Sequence, residues 1–201
     1  MGRRRAYIGL GANVGDAQQT LTAAVHALAA LPGARLRGVS NLYRAKPVGV
    51  EDQPDFLNAV VALDVPSGPD PATGATALLI ALKHLERSFG RRRRERWGPR
   101  ELDLDLLVFG RARLAIERPS AAIPATAAID PNTAERLLEV PHPSIRDRLF
   151  VLAPLADLAS GLVPPGWHQT IGTARVARAL IEGPDAVVPV GAWRERSWQR
   201  A

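Results

Sequence analysis

The sequence predicts an α+β fold built on one antiparallel sheet that carries two helices on the same face. Three observations support this prediction: four strand-like segments, two amphipathic helical segments, and the β-α-β-β-α-β order in which they occur. With 201 residues, the chain is long enough for one domain with a sizeable core.

The first strand and the first helix are predicted near the N-terminus. The strand is Tyr7-Ile8-Gly9-Leu10, and a turn follows at residues 11–15. Asp16 suits the helix N-cap because its carboxylate can accept hydrogen bonds from free N–H groups. Apolar residues then recur at helical spacing until Pro32-Gly33 ends the pattern; they are Leu21, Ala24, Val25, Leu28 and Leu31.

The remaining strands and the second helix follow in the next 75 or so residues. Strands are predicted over residues 36–43, 56–65 and 100–109, with a loop at 46–54. The helix ends near Gly90, and its apolar residues are Leu78, Leu79, Leu82, Leu85 and Phe89. This order is that of the ferredoxin-like βαββαβ arrangement, in which both helices cover one face of the antiparallel sheet.

The C-terminal part adds helices to this sheet. We expect a single domain over residues 1–170, with an inserted alanine- and proline-rich loop at about 119–136. Short helical stretches are expected at 146–152 and 155–159, and a clearer helix at 172–181. Residues 171–201 are then a C-terminal helix and a tail, with no clear element after residue 183.

Composition excludes several classes of protein. No apolar run approaches the roughly 18 residues that a membrane span requires, and the basic N-terminus lacks a following apolar segment. The absence of cysteine excludes a disulfide framework and fits a cytoplasmic protein. The net charge of +6 is weak support for polyanion binding, because an arginine-rich, alanine-rich chain can reflect genome base composition.

The most informative segment is Leu102-Asp103-Leu104-Asp105-Leu106-Leu107-Val108-Phe109. In a strand, Asp103, Asp105, Leu107 and Phe109 share one face, with the two aspartates about 7 Å apart. Two carboxylates that border a core need positive partners, and oxygen ligands suit Mg²⁺. The alternative is the solvated face of a half-buried strand, which alternation alone makes about equally plausible.

An arginine run precedes this acidic pair. Arginines occupy positions 91–94, 96 and 100, and guanidinium groups bind phosphate oxygens in a forked geometry. A basic run is more often a solvated loop. Its position beside two carboxylates favours phosphate binding here.

Two further groups are candidates for small-molecule binding. Phe56 and Asn58 project to one face of the third strand, where a ring and an amide suit a flat heterocycle, although a core phenylalanine with a capping asparagine is the simpler alternative. His142 lies between two prolines, which fix its backbone and could aim it at a nucleotide phosphate.

Five motifs together resemble the 6-hydroxymethyl-7,8-dihydropterin pyrophosphokinases of folate synthesis. They span most of residues 6–155 and are Ile8-Gly9-Leu10-Gly11-Ala12-Asn13, Ser40-Asn41-Leu42-Tyr43-Arg44, Asp52-Gln53-Pro54-Asp55-Phe56-Leu57-Asn58-Ala59, Glu95-Arg96-Trp97-Gly98-Pro99-Arg100-Glu101-Leu102-Asp103-Leu104-Asp105 and Val140-Pro141-His142-Pro143.

The resemblance implies transfer of pyrophosphate from ATP, the co-substrate, to the hydroxymethyl oxygen of the pterin, with release of AMP. Asp103 and Asp105 would hold two Mg²⁺ ions, and Arg100 and a mobile Arg91 would assist transfer. Four residues would contribute to ATP binding: Glu86, Arg93, Leu106 and His142. Six would bind the pterin: Val48, Phe56, Asn58, Trp97, Arg148 and Phe150.

The chain departs from the family pattern at a few positions. Ala45-Lys46 replaces a small or hydroxyl residue followed by proline, and Pro143 replaces a common tyrosine. The spacing between Gly90 and Trp97 is one residue shorter than in some members, which leaves both Arg91 and Arg92 as candidates for the mobile arginine.

Two other functions remain as alternatives. A ferredoxin-like, arginine-rich chain could bind RNA, but the exposed aromatic pattern of RNA-recognition strands is missing from the sequence. A metal-dependent glycosyltransferase generally needs a larger nucleotide-sugar domain. We therefore expect a cytoplasmic monomer that acts on small molecules, without nucleic acid or membrane partners.

Overall fold

The structure is a computed structural model that describes residues 2–47, 49, 52–90, 98–118 and 136–200. Its strands are β1 (Arg3–Ala12), β2 (Arg35–Val39), β3 (Leu42–Ala45), β4 (Phe56–Pro66), β5 (Asp103–Phe109), β6 (Leu114–Glu117), β7 (Arg136–Val140), β8 (Val187–Arg194) and β9 (Ser197–Gln199). Its helices are α1 (Ala17–Ala29), α2 (Pro71–Ser88), α3 (Leu149–Ala159) and α4 (Ile171–Glu182), with a short 3₁₀ helix at Pro143–Ile145. None of the described helices combines the length and apolar character of a membrane span.

The main sheet has seven strands in the order β5-β1-β4-β3-β8-β9, with β2 also paired to β4. Every pairing in this sheet is antiparallel, and β6 and β7 form a separate antiparallel ribbon. The α+β, ferredoxin-like prediction is confirmed, since β5, β1, β4 and β3 keep the strand order of that arrangement.

The strand predicted over residues 36–43 is two strands, because the chain breaks at Ser40. Ser40 donates its N–H to the Val60 carbonyl at 3.0 Å, and its hydroxyl accepts from the Val60 N–H at 2.9 Å. Both β2 and β3 pair with β4 on either side of this break. The side chain of Ser40 thus takes over backbone pairing where the strand is interrupted.

Helices α1 and α2 cover one face of the sheet, as predicted. Asp16 and Asp70 cap them by accepting from the N–H groups of Gln19 and Thr73, each at 2.9 Å. The buried side chains that join these helices to the sheet include Leu21, Leu28, Leu82, Ile8, Leu63 and Leu104. This core makes both helices part of the sheet domain.

The other face of the sheet is covered by α3 and α4. Leu152 and Leu155 of α3 pack with Tyr7, Val60 and Leu107 of the sheet. The two short helices expected between residues 146 and 159 are one helix, which continues through Pro154. Burial of its apolar side keeps this helix together although proline cannot donate a backbone hydrogen bond.

Strand β5 contains a bulge that reverses the side-chain directions predicted for Val108 and Phe109 by simple alternation. Tyr7 pairs with Val108 and Ile8 pairs with Leu106, so Leu107 is an extra residue. Leu107 and Val108 both pack on the α3 side, and Phe109 packs on the α1–α2 side. The prediction that Phe109 shares the face of the aspartates is therefore wrong, because the bulge shifts the alternation by one residue.

The C-terminal tail forms a β-hairpin, where no element was expected. Strand β8 pairs with β3, and β9 pairs with β8 across a turn at Glu195 and Arg196, which both have positive φ. Trp198 is buried and donates its indole N–H to the Ser40 carbonyl at 2.9 Å. The turn lacks the glycine or asparagine that usually marks such a hairpin.

One half-buried carboxylate links β1, β2 and β4 and gives the fold a pH dependence. Asp64 accepts from Arg5 Nε at 2.6 Å and from Arg37 Nε at 2.5 Å. These hydrogen bonds, Arg5 first, lower the pKa of Asp64 to about 2. The folded state therefore prefers the charged carboxylate.

We expect Asp64→Asn to lower the free energy of unfolding at pH 7 by roughly 1–2 kcal/mol. Because the folded pKa lies below the unfolded value near 4, the contribution is complete above pH 4 and is lost as the pH falls towards 2. Urea denaturation at several pH values measures it, with exposed Asp185→Asn as the control. Equal stability of Asp64→Asn and wild type at pH 7 would contradict the assignment.

Candidate active site

A cleft of about 440 Å³ lies between the sheet and the start of α3. Its walls come from β1, β4, β5, the segment before β5 and the chain around the 3₁₀ helix. Eight of the residues predicted for the site line it: Phe56, Asn58, Arg100, Asp103, Asp105, His142, Arg148 and Phe150. The fold thus brings together residues that are more than 90 positions apart in the sequence.

The acidic pair lies beside two glycines of the central strand. Gly9 pairs with Asp105 and Gly11 pairs with Asp103. Since glycine has no side chain, β1 leaves open space next to both carboxylates. A Cβ atom added to Gly11 would lie 3.4 Å from Asn58 Oδ1, so even alanine would narrow the cleft floor.

The acidic pair fits Mg²⁺ in the chemistry of its donors. Among the described residues no group of three His, Cys, Asp or Glu side chains is placed to hold a metal ion. Mg²⁺ is commonly held by one or two carboxylates together with waters and substrate phosphates. Asp103 and Asp105, half-buried and open to the cleft, match that pattern.

Phe56 and Asn58 begin β4 and face the same cleft, as the two-residue periodicity predicted. Asn58 is buried and pairs with Gly11 on one side and with Tyr43 on the other. Its amide can donate and accept, while Phe56 offers an aromatic surface beside it. The pair is suited to a flat, hydrogen-bonding ring.

The opposite wall is the first turn of α3. The Arg148 guanidinium lies 5.8 Å from the centre of the Phe150 ring. The N–H of Leu149, between them, donates to Glu182 Oε1 at 3.1 Å, so the end of α4 caps the start of α3. Tyr43 also binds α3 by donating to Asp157 Oδ1 at 2.9 Å.

His142 contributes a neutral ring at the edge of the cleft. The backbone N–H of His142 donates to the Leu107 carbonyl at 2.9 Å, and the ring Nδ1 accepts from the Ser144 N–H at 3.2 Å. Burial lowers the pKa of His142, although the nearby Asp105 carboxylate opposes this effect. With Nδ1 as acceptor, the neutral ring carries its proton on Nε2, which can donate to an anionic ligand.

Two predicted ATP-binding residues lie outside the cleft lining. Glu86 is buried beneath β5, where Oε1 accepts from the Leu104 N–H and from Lys83 Nζ, both at 2.8 Å. Leu106 packs in the core between the sheet and the α1–α2 layer. In this structure Glu86 holds the edge strand that carries both aspartates.

Several predicted residues lie outside the described part of the chain. They are Val48, Arg91, Arg92, Arg93 and Trp97, together with the inserted loop up to residue 135. Their assigned roles stay predictions.

Sequence reasoning missed the side chains that support the cleft. Asn13 and Gln53 belong to the recognised motifs but received no role, and they contact each other at 3.0 Å. Glu182 had no recognisable signal, because its partner Leu149 is 33 residues earlier. Such pairings depend on tertiary structure.

The cleft combines paired carboxylates, arginines and an aromatic–amide surface, which are the groups that a nucleotide-dependent transferase needs. The model of the 7,8-dihydro-6-hydroxymethylpterin-pyrophosphokinase (HPPK) family matches residues 7–160. The chain belongs to this family.

Relatives with assigned names agree with this membership. The chain is 41% identical to a Pseudomonas aeruginosa protein over 82% of this chain and 87% of that protein. It is 40% identical to a Methylorubrum extorquens protein over 89% of this chain and 97% of that protein. Both are named 2-amino-4-hydroxy-6-hydroxymethyldihydropteridine pyrophosphokinase.

Solved structures agree in fold. A Plasmodium falciparum HPPK-DHPS triple mutant matches with a TM-score of 0.70 at 13% identity, over 98% of this chain and 48% of that chain. An HPPK-DHPS in complex with substrates matches with a TM-score of 0.72 at 12% identity, over 100% and 50% of the two chains. The chain spans about half the length of these proteins, and the likeness at such identity concerns the fold alone.

The structure predicts a supporting role for Glu86 that can be separated from ligand binding. Glu86→Ala removes an acceptor of the Leu104 N–H, so we expect the free energy of unfolding to fall by about 2 kcal/mol. Glu86→Gln keeps an oxygen acceptor and should lose less. Urea denaturation without ligands tests this, and an alanine variant as stable as wild type would refute it.

Proposed function

We propose that this chain transfers pyrophosphate from ATP to 6-hydroxymethyl-7,8-dihydropterin, giving the pterin diphosphate and AMP in folate synthesis. Membership of the HPPK family supports this function most directly. The observation in the structure that carries it is one cleft that holds Asp103 and Asp105 together with Phe56 and Asn58. An acidic pair that would bind phosphate through Mg²⁺ and a surface that would take a flat pterin ring both line this cleft.

On the acceptor side, Phe56 and Phe150 would enclose the pterin ring, and Asn58 would recognise its hydrogen-bonding edge. Their common position in the cleft supports these roles. Arg148 would close over the ring from the start of α3. The family resemblance adds Val48 and Trp97 to the proposed pterin site.

On the nucleotide side, Asp103 and Asp105 would hold two Mg²⁺ ions, which would neutralise triphosphate charge and polarise the phosphoryl group. His142 would donate its Nε2–H to a phosphate oxygen. The family resemblance adds Glu86, Arg93 and Leu106 to the proposed ATP site, with Glu86 acting through β5.

In the reaction, the pterin hydroxymethyl oxygen forms a bond to the β-phosphorus of ATP. The bond from that phosphorus to the α,β-bridging oxygen breaks, AMP leaves, and the hydroxyl proton is released. Arg100, and Arg91 or Arg92, would neutralise charge during transfer. The contribution of the protein is mainly positioning and charge compensation, since no covalent intermediate is needed.

The same proposal covers organisation and location. Residues 1–170 would form the pyrophosphokinase domain, with 171–201 as a C-terminal addition that extends the same sheet through β8. The protein would act as a cytoplasmic monomer on small molecules, without nucleic acid or membrane partners.

We expect Asp103→Asn and Asp105→Asn each to reduce AMP formation by at least about 100-fold, because each removes a carboxylate that would hold the cation. The assay mixes purified protein, ATP, Mg²⁺ and the dihydropterin alcohol and measures AMP and pterin diphosphate. Asp185→Asn, at an exposed position, is the matched control. Near-normal AMP production in both cleft variants would contradict the assignment of Asp103 and Asp105 as Mg²⁺ ligands.

We expect Phe56→Ala to raise the KM for the pterin by about 10-fold, because a ring contact is worth about 1–3 kcal/mol. The KM for ATP should change little, and Phe56→Tyr should stay close to wild type because it keeps the ring. An unchanged pterin KM in Phe56→Ala would exclude this wall from acceptor binding.

A further inference from the structure

We infer that Asn13 is a positioning residue. It connects the segment before β5, on the side of the cleft proposed for the ATP phosphates, to the loop before β4, on the side proposed for the pterin. The inference rests on the proposed function and deepens it. Asn13 follows β1 directly, is only 4% exposed, and bonds to two segments that are far apart in sequence. Neither Asn13 nor its partner Gln53 lines the cleft among the described residues.

One set of bonds holds the segment that leads into β5. The Asn13 N–H donates to the Arg100 carbonyl at 3.0 Å. The Arg100 N–H donates in return to Asn13 Oδ1 at 2.7 Å. These two bonds fix the backbone of Arg100, which lines the cleft and lies three positions before Asp103.

The other set holds the loop that leads into β4. Asn13 Nδ2 donates to Gln53 Oε1 and to the Pro54 carbonyl, each at 3.0 Å. Phe56 begins β4 two residues later, with Asn58 close behind it. The side-chain amide of Asn13 therefore fixes the start of β4, which carries the two residues proposed to bind the pterin.

Asparagine suits this position because its short planar amide has two donors and one acceptor. All three are used here, with the acceptor directed to Arg100 and the donors to Gln53 and Pro54. Alternation along β1 places Asn13 in line with Gly9 and Gly11. It therefore joins the loops on both sides just beyond the end of the central strand.

The consequence is control of the distance between the two substrates. Displacement of a reacting group by about 1 Å can cost 100-fold in rate. A residue that fixes both the segment at Arg100 and the loop before Phe56 would keep the hydroxymethyl oxygen of the pterin at the right distance from the phosphate of ATP.

The two halves of the tie can be separated by substitution. Asn13→Asp keeps the oxygen that accepts from Arg100 and loses both amide donors to the loop before β4. The KM for the pterin should therefore rise about 10-fold, whereas the KM for ATP should rise less than about 3-fold. Asn13→Ala loses both halves and should also lower kcat by about 10- to 100-fold. Gln53→Ala should also raise the KM for the pterin. Gln53→Glu keeps the oxygen that accepts from Asn13 and should have a pterin KM close to that of wild type.

Hydrogen–deuterium exchange without substrates provides a second readout. We expect Asn13→Asp to speed exchange in residues 52–56 more than in 98–104, and Asn13→Ala to speed both. Equal pterin KM values in wild type and Asn13→Asp, or an Asn13→Asp variant in which exchange changes equally in residues 52–56 and 98–104, would overturn this role of Asn13. If wild-type protein forms no AMP from ATP and the pterin alcohol, the proposed function fails, and the exchange pattern still decides the role of Asn13.

Discussion

The register of β1 between β4 and β5 is the constraint on which the cleft depends. Gly11 pairs with Asp103 on one side and with Asn58 on the other. These three residues form one row across the sheet, so Asp103 and Asn58 are separated by two strand spacings, about 10 Å. A shift of one residue in either pairing would turn one of these side chains into the opposite core.

This row becomes an enclosed site because other elements cover the sheet on the face opposite to α1 and α2. Helix α3 packs on the sheet at Tyr7, Val60 and Leu107, and its first turn overhangs the row with Phe150. Two anchors hold that helix: Glu182 at its start and Asp157, bound by Tyr43, near its end. Burial and the hydrogen bond to Asp157 raise the pKa of Tyr43 to about 12, so this anchor keeps its proton throughout the neutral range.

Local patterns in the sequence were sufficient for the part of the main sheet that precedes the C-terminal hairpin, for the first two helices and for four side chains that face the cleft. Asp103, Asp105, Phe56 and Asn58 follow from two-residue alternation in strands that are regular at those positions. Phe109 did not, because a bulge lies between it and the aspartates. The C-terminal hairpin was missed because its turn uses Glu195 and Arg196, which rarely adopt positive φ. The Asn13–Gln53 contact joins residues 40 positions apart, and no local pattern reports such a contact.

The strands that end the main sheet bear on aggregation. On one side β5 is the outermost strand, and Glu86 accepts the Leu104 N–H that would otherwise be available to another chain. On the other side the last strand, β9, is only three residues long. Open strand edges recruit further strands, whereas short edges and charged side chains discourage this. The hairpin that ends the described chain therefore protects β3 from pairing with a neighbouring molecule, a role separate from catalysis.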